Sequence, residues 1–243
     1  MTQLPQDLSI RVSEAVAHFW RTRCRQASKQ RQSGKPDQGA RSAVTGGAQM
    51  DGFINLLADL VVAAGVGREE IFYHKRVELP GFYRPTKEWD LLVVHDGLLL
   101  VAVEAKSHVG PSFGNNFNNR TEEAMGSALD IWTAYREGAF VGSPQPWLGY
   151  LLLLEDCDKS RSPVKVREPH FSVFREFRDT SYAGRYELFC RKLVRERQYS
   201  ASAFLTSRAQ LGVKGEYEEP ASDLSFDALA RSLVAHVAAH SSE

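Results

Sequence analysis

The chain has 243 residues, 43% of them hydrophobic and 25% charged, close to the globular average and enough for a real core. The longest apolar run, Leu98–Val103, is six residues against the roughly 20 of a membrane span; no secretory signal is read at the start, and Cys24, Cys157 and Cys190 form neither a disulfide framework nor a zinc site, which fits a reducing cytoplasm. Thirty basic and thirty acidic residues cancel, which argues against a protein that coats nucleic acid without specificity.

In chain order, Val12, Ala15, Val16, Phe19 and Trp20 share one face of a helix expected over 9–26. From Arg21 to Gly47 the chain turns basic and polar (Arg21, Arg23, Arg25, Lys29, Arg31, Lys35, Arg41), and is read as a helix end followed by a loop or DNA-clamping arm. A second helix is expected at about Met50–Ala64, with Phe53, Ile54, Leu57, Leu60 and Val61 inward and Gly65 as its stop. Ile71–Leu79 reads as a strand. Two more, Trp89–Val94 and Leu98–Lys106, flank His95-Asp96-Gly97. Val109–Arg120 reads as a loop, after which Thr121 caps a helix with Glu122 and Glu123 in its first turn and Gly138 at its end. Leu148–Leu154 suits a buried strand, and helices are expected near 185–198 and 225–239. The order predicts a single α/β domain over residues 1–243, a central mixed sheet flanked by helices, with a basic N-terminal segment at about 21–47.

Charge is unevenly spread: +5 over residues 1–50, −7 over 51–160, +7 over 161–214 and −5 over 215–243. An acidic centre between basic flanks places carboxylates near a polyanion that the flanks hold. The chemistry is expected in Asp90 and in Glu104-Ala105-Lys106. Along the second hairpin strand, Ala102, Glu104 and Lys106 share a face, and Val101, Val103 and Ala105 share the other. A two-residue turn at Asp96-Gly97 would set Asp90 opposite Val103, on the wrong face. A three-residue loop pairs Val94 with Leu98 and sets Asp90 opposite Ala102, diagonal to Glu104; glycine at the third loop position favours it. One small cation then bridges the two carboxylates. Oxygen ligands beside a phosphate suit Mg²⁺, the Ala105 carbonyl adds a ligand, and Lys106 holds water or phosphate.

Asp90-x13-Glu104-Ala105-Lys106 resembles the PD-(D/E)xK nuclease motif, with Trp89 where the usual proline stands. The stretch from Gly110 through Asn115-Asn116-Phe117-Asn118-Asn119-Arg120 to Glu123 is more specific. With Trp132–Gly138, Glu168-Pro169-His170-Phe171 and Leu193–Tyr199, it is similar to the XhoI family of type II restriction endonucleases, over nearly the whole chain. The resemblance implies a restriction-endonuclease-like PD-(D/E)xK core and a cytoplasmic homodimer that cuts the duplex palindrome CTCGAG with Mg²⁺, leaving 5′ overhangs. A cognate methyltransferase is then a genetic, not physical, partner. Carried onto this chain, Asp90, Glu104 and Lys106 are catalytic, with Asp90, Glu104 and Ala105 on the metal. Related nuclease families add an acid from an upstream helix. Asp51 and Asp59 are the candidates, although Asp51 is better explained as a first-turn acid favoured by the helix dipole.

Asn115, Asn116, Asn118, Asn119 and Arg120 follow the catalytic strand. Asparagine pairs with adenine and arginine with guanine through two hydrogen bonds each. The asparagines are therefore divided between holding the loop and reading bases. Of Arg191, Lys192, Arg195 and Arg197, two are expected on phosphate, with Cys190 and Leu193 on the buried side. Phe171, Phe174 and Phe177, spaced by three, are read as core. A junction-resolving or repair nuclease and a non-catalytic DNA-binding regulator are the rival functions; the intact acid, acid and lysine set argues against the second.

Overall fold

The computed structural model describes residues 4–32 and 47–241. Five strands form the central sheet in the order β1 (Ile71–Phe72), β4 (Leu91–His95), β5 (Leu98–His108), β6 (Trp147–Glu155), β7 (Ala201–Ser207); β2 (Glu78–Pro80) and β3 (Thr86–Glu88) make a separate two-stranded sheet. The β1–β4 and β4–β5 pairs are antiparallel, and β5–β6 and β6–β7 are parallel. Parallel neighbours need crossovers. Helix α3 (Gly114–Arg136) connects β5 to β6, and α4 (Tyr182–Arg195) connects β6 to β7. Helices α1 (Leu8–Gln32), α2 (Asp51–Ala63) and α5 (Phe226–His240) complete the α/β architecture.

The sheet separates two apolar clusters, because alternate strand residues point to opposite faces. On one face Val101, Val103, Ala105, Leu151 and Leu153 pack with α1, α2 and α5 through Phe19, Phe53, Leu57 and Leu233. On the other, Ala102, Leu148, Tyr150 and Leu152 pack with α3 and α4 through Ala128, Ile131, Tyr186 and Leu193. Strand β6 is apolar on both faces, as a central parallel strand must be. Strand β7, Ala-Ser-Ala-Phe-Leu-Thr-Ser, is wholly buried despite its three hydroxyls; its composition hides it in the sequence. Trp20 ties α1 to it by donating from Nε1 to Ser207 Oγ at 3.0 Å.

The first helix begins as expected but runs on to Gln32, past the expected end at 26, while the inward face of α2 and the Gly65 stop (φ +112°) are as expected. Four expectations need correction. Ile71–Leu79 is two short strands with different partners, β1 on β4 and β2 on β3, because His74 (φ 65°) and Arg76 (φ 58°) turn the chain between them. The helix after β5 starts at Gly114, not Thr121, so Asn115–Arg120 are helical; Phe117 packs edge-on against Tyr186 and anchors the added turns, while Thr121 Oγ1 donates to Asn118 O inside the helix. Phe171 and Phe174 are exposed (89% and 79%) in the long segment before α4, where a single 3-10 turn, Arg175–Phe177, is too short to give their three-residue spacing a buried face.

The fourth is the hairpin register. Asp96 (φ 50°) and Gly97 (φ 77°) make a two-residue turn that pairs His95 with Leu98, as an Asp-Gly pair favours. Val94 pairs with Leu99 but Val93 with Val101, so Leu100 bulges out of the ladder. Leu100 and Val101 accordingly face the same cluster. The extra residue cancels the one-residue slip, and Leu91 pairs with Val103. One residue further along, Asp90 stands opposite Glu104, on its face. The three-residue loop is wrong, but the side-chain grouping it served is right.

Candidate active site

Strand β5 carries Glu104 and Lys106 on the face that holds α3 and α4, beside β4's open end. Beyond Leu91 the chain no longer pairs fully with β5: the Asp90 N–H still donates to Val103 O (3.0 Å), but the Ala105 N–H is met by the Asp90 side chain, to Oδ2 at 2.8 Å. The carboxylate thus replaces a backbone ladder acceptor, which holds it against the strand. The N–H and C=O of one strand residue point to the same edge, so the Ala105 carbonyl also faces the edge where Asp90 lies.

Lys106 Nζ stands 2.9 Å from Glu104 Oε1 and 3.3 Å from Asp90 Oδ2. A second ammonium, Lys87 Nζ from β3, is 3.3 Å from the same Glu104 Oε1. Glu104 is buried, with a relative exposure of 3%. Burying a lone carboxylate costs several kcal/mol. Here burial pushes the Glu104 carboxyl up, but Lys106 and then Lys87 outweigh it and hold it below the usual carboxylate range. Lys106 shows the mirror case: burial pulls it down, and Glu104 and Asp90 more than restore it. The four groups are therefore a charge-balanced cluster of two carboxylates and two ammoniums.

Not every oxygen is occupied. The Tyr199 hydroxyl has one proton and two acceptors within reach, Ala124 O at 3.1 Å and Glu104 Oε2 at 3.5 Å; the shorter contact has the stronger claim. Glu104 Oε2 and Asp90 Oδ1 thus have no firm hydrogen-bond donor among the described residues. Two hard carboxylate oxygens on one strand face are a fitting donor set for a small divalent cation.

The remaining candidates are placed differently. Asp51 and Asp59 sit on α2, which packs on the opposite face of the sheet from Glu104. Asp59 binds Arg11 and Arg68, and Asp51 Oδ1 lies 3.7 Å from His74 Nε2; the structure brings neither acid into the cluster. Asn115, Asn118 and Asn119 are exposed at helical spacing in the first turns of α3, and Asn116 is half-buried. No hydrogen bond among the described residues occupies these four side chains, whereas Arg120 Nη1 donates to Glu123 Oε2 at 2.6 Å. The Tyr199–Ala124 bond ties this helix to the Glu104 environment. On α4, Arg191 is held by Asp223 and Glu187, and Lys192 by Glu196; Cys190 and Leu193 are buried as expected. In the basic N-terminal segment the helix continues to Gln32, and Arg21 donates to Val213 O and Arg23 to Gln49. The side chains of Lys29, Arg31, Lys35 and Arg41 lie outside the described residues.

Lys87 escaped the sequence reading because it precedes the motif and belongs to a different sheet. The signal was its spacing from Trp89: in extended chain, residues two apart share a face. Trp89 is buried and its ring lies 4.2 Å under the Lys87 ammonium. A different trio, Glu70, His95 and Asp96, brings three potential ligand atoms within 4.8 Å at the hairpin tip. Its members are already engaged: Glu70 accepts from the Asp96 N–H at 3.0 Å and lies 2.8 Å from His95 Nδ1. Among the described residues, no helix is long and apolar enough to cross a membrane.

Comparison with known proteins identifies the family. Residues 29–219 match the family model described as restriction endonuclease XhoI. The chain is 57% identical over 211 residues to the type II restriction enzyme BstVI of Geobacillus stearothermophilus, covering 85% of this chain and 94% of that protein. It is 51% identical over 181 residues to AbrI of Azospirillum brasilense (73% and 81% covered) and 48% over 183 residues to XhoI of Xanthomonas vasicola (74% and 72%), both also type II restriction enzymes. No solved structure matches. A family match across most of its length, relatives 48–57% identical and an α/β fold with a central mixed sheet together place the chain in the XhoI family of type II restriction endonucleases, site-specific deoxyribonucleases acting on double-stranded DNA.

Proposed function

We propose that this chain cuts the palindrome CTCGAG, leaving 5′ overhangs, through a centre made of Asp90, Glu104, Ala105 and Lys106. Restriction endonucleases of this family generally use a divalent metal; here we assign Mg²⁺, held by Asp90, Glu104 and the Ala105 carbonyl. The observation that carries the assignment is the buried Glu104 opposite Asp90, each with an oxygen lacking a firm donor. When bound, the ion supplies acidification of a water and stabilisation of charge on the phosphate. Asp90 is pre-aimed by its bond to the Ala105 N–H, and Glu104 by its two ammoniums, so little reorganisation is needed. Lys106, between both carboxylates, positions the attacking water or the phosphate. The XhoI relative supports the target sequence, because its similarity includes the catalytic strand and α3.

The exposed asparagine face of α3 is assigned to base reading, with Asn115, Asn118 and Asn119 foremost. Asn116 supports the helix, and Arg120, held by Glu123, contacts phosphate or guanine once that pair opens. Two copies of the chain, one per strand of the palindrome, form the working homodimer. We read the chain as one catalytic domain with a basic N-terminal segment that contacts backbone phosphates. We place it in the cytoplasm, consistent with three free cysteines, alongside a genetically linked methyltransferase that protects the host site.

The test is digestion of plasmids with and without CTCGAG, with Mg²⁺ or with chelator. Linearisation of the site-bearing plasmid alone, only with Mg²⁺, is expected. Cutting at another sequence would overturn the target assignment, and normal Mg²⁺-dependent cutting by Asp90→Ala would overturn the centre. For the reading face, alanine at Asn115, Asn118 or Asn119 is expected to remove about 1–3 kcal/mol of discrimination per lost bidentate pair. The loss doubles in a symmetric dimer. Paired titrations on cognate and scrambled duplexes read it; affinities falling in step on both would show that α3 reads no base.

A further inference from the structure

Lys87 is the one member of the charge cluster that the PD-(D/E)xK motif does not contain. It arrives from outside the central sheet, on β3, and its placement is tightly determined. Its ammonium lies 4.2 Å from the centroid of the Trp89 ring, donates to Glu88 O at 2.8 Å and reaches Glu104 Oε1 at 3.3 Å. The side chain is 10% exposed. A lysine ammonium over a buried indole and desolvated beside an acid is a costly arrangement for mere solubility. It also accounts for Trp89 in the place of the usual proline: the ring is the platform on which the lysine rests.

We propose that Lys87 is a positioning residue that keeps the centre electrically balanced while DNA is absent, so that the divalent cation enters together with the scissile phosphate. The proposal rests on the metal-site assignment above. With Asp90 and Glu104 opposed by Lys106 and Lys87, the four side chains sum to zero formal charge. A divalent cation entering that cluster alone meets two ammoniums and leaves it strongly positive. A phosphodiester brought in by DNA supplies negative charge and an alternative acceptor for the Lys87 ammonium. Cation and DNA then favour each other's binding, and by linkage each strengthens the other by the same factor. Lys106 bridges both carboxylates and belongs to the chemistry; of the two carboxylates Lys87 touches Glu104 alone, and it sets when the site becomes ready.

The experiment is calorimetric titration of Mg²⁺ into the DNA-free protein, which involves no cleavage. Lys87→Met and Lys87→Gln are expected to bind Mg²⁺ more tightly than wild type, roughly tenfold, because one opposing charge is gone. Lys87→Arg keeps the charge and should keep the wild-type affinity. Tighter binding is a gain that damage to the fold does not produce, and two neutral variants guard against one folding badly. The second readout is the ratio of cognate-duplex dissociation constants without and with Ca²⁺, which also takes oxygen ligands. That ratio should shrink in both neutral variants. Unchanged or weaker Mg²⁺ binding in the two neutral variants, with Glu104→Gln binding none, would overturn the role of Lys87. Wild-type Mg²⁺ binding by Glu104→Gln would instead overturn the metal site beneath it.

Discussion

The β4–β5 hairpin carries an acid-containing cluster at each end. At its tip, Glu70, His95 and Asp96 bring three ligand atoms within 4.8 Å, the closer approach to a metal-binding spacing. At its open end, Asp90 and Glu104 are held by Lys106 and Lys87. The tip is solvated, and Asp96 is 82% exposed; its contacts pin the Asp-Gly turn and need no further purpose. The open end buries Glu104 in an apolar face, which costs free energy unless charges compensate, and still leaves carboxylate oxygens without firm donors. On the assignment proposed above, closeness of ligating atoms is a weaker sign of function than charge kept buried with coordination to spare.

The largest expected effect comes from exchanging the two ends in an activity assay. Glu104→Ala should lower single-turnover cleavage about a thousandfold or more, since ion-mediated stabilisation is worth several kcal/mol, while specific DNA binding survives. Glu70→Ala and Asp96→Ala should cleave within a small factor of wild type. Comparable losses at both ends would erase the distinction and make the tip a second functional site.

Lys106→Arg sharpens the same contrast. The planar guanidinium replaces a compact ammonium where two carboxylates converge, and a loss on the order of a hundredfold in rate is expected. A near-wild-type rate on the same duplex would reduce Lys106 to an ion-pair partner.

A smaller effect separates the histidines of the two ends. His108, buried at the end of β5, is pushed down to about 4 by desolvation. Its ring is satisfied as a neutral group, with Nε2 3.1 Å from Ser112 O and Nδ1 2.7 Å from Tyr186 OH. The unfolded chain takes up the proton first, so this contribution is full above about pH 6.5. It is lost as pH falls toward 4, in total about 3 kcal/mol at 1.4 kcal/mol per unit. Denaturant midpoints at pH 7 and pH 5 should therefore differ less in His108→Gln than in wild type; equal differences would show that His108 is not held neutral.

The smallest effect has the opposite sign. His95 is pushed up by its bond to Glu70, so its contribution is full below the unfolded value and fades as pH rises through the folded one. The pair is solvent-facing, and such pairs contribute about 0–1 kcal/mol. His95→Gln should lose stability slightly more at pH 5 than at pH 8. A loss confined to pH 8 would reverse the sign and remove the ion pair from the account.

Local chemistry alone determined much of this protein. Apolar periodicity placed α1, α2, α4, α5 and β6, since a buried face must repeat with the period of its element. The alternation Ala102, Glu104, Lys106 against Val101, Val103, Ala105 put acid and lysine on one strand face, and the motif resemblance named the family that the comparisons bear out. Tertiary structure decided what depends on neighbours distant in sequence. The bulge at Leu100 reconciles a two-residue Asp-Gly turn with a register that sets Asp90 opposite Glu104; no local preference reveals its position. The asparagines became helical because Phe117 found Tyr186, 69 residues later. Strand β7 formed because β6 and two helix layers bury it, not because its composition favours a strand. Lys87 joined Glu104 only because the β2–β3 hairpin folds back over the open end, bringing together charges that a linear reading keeps apart.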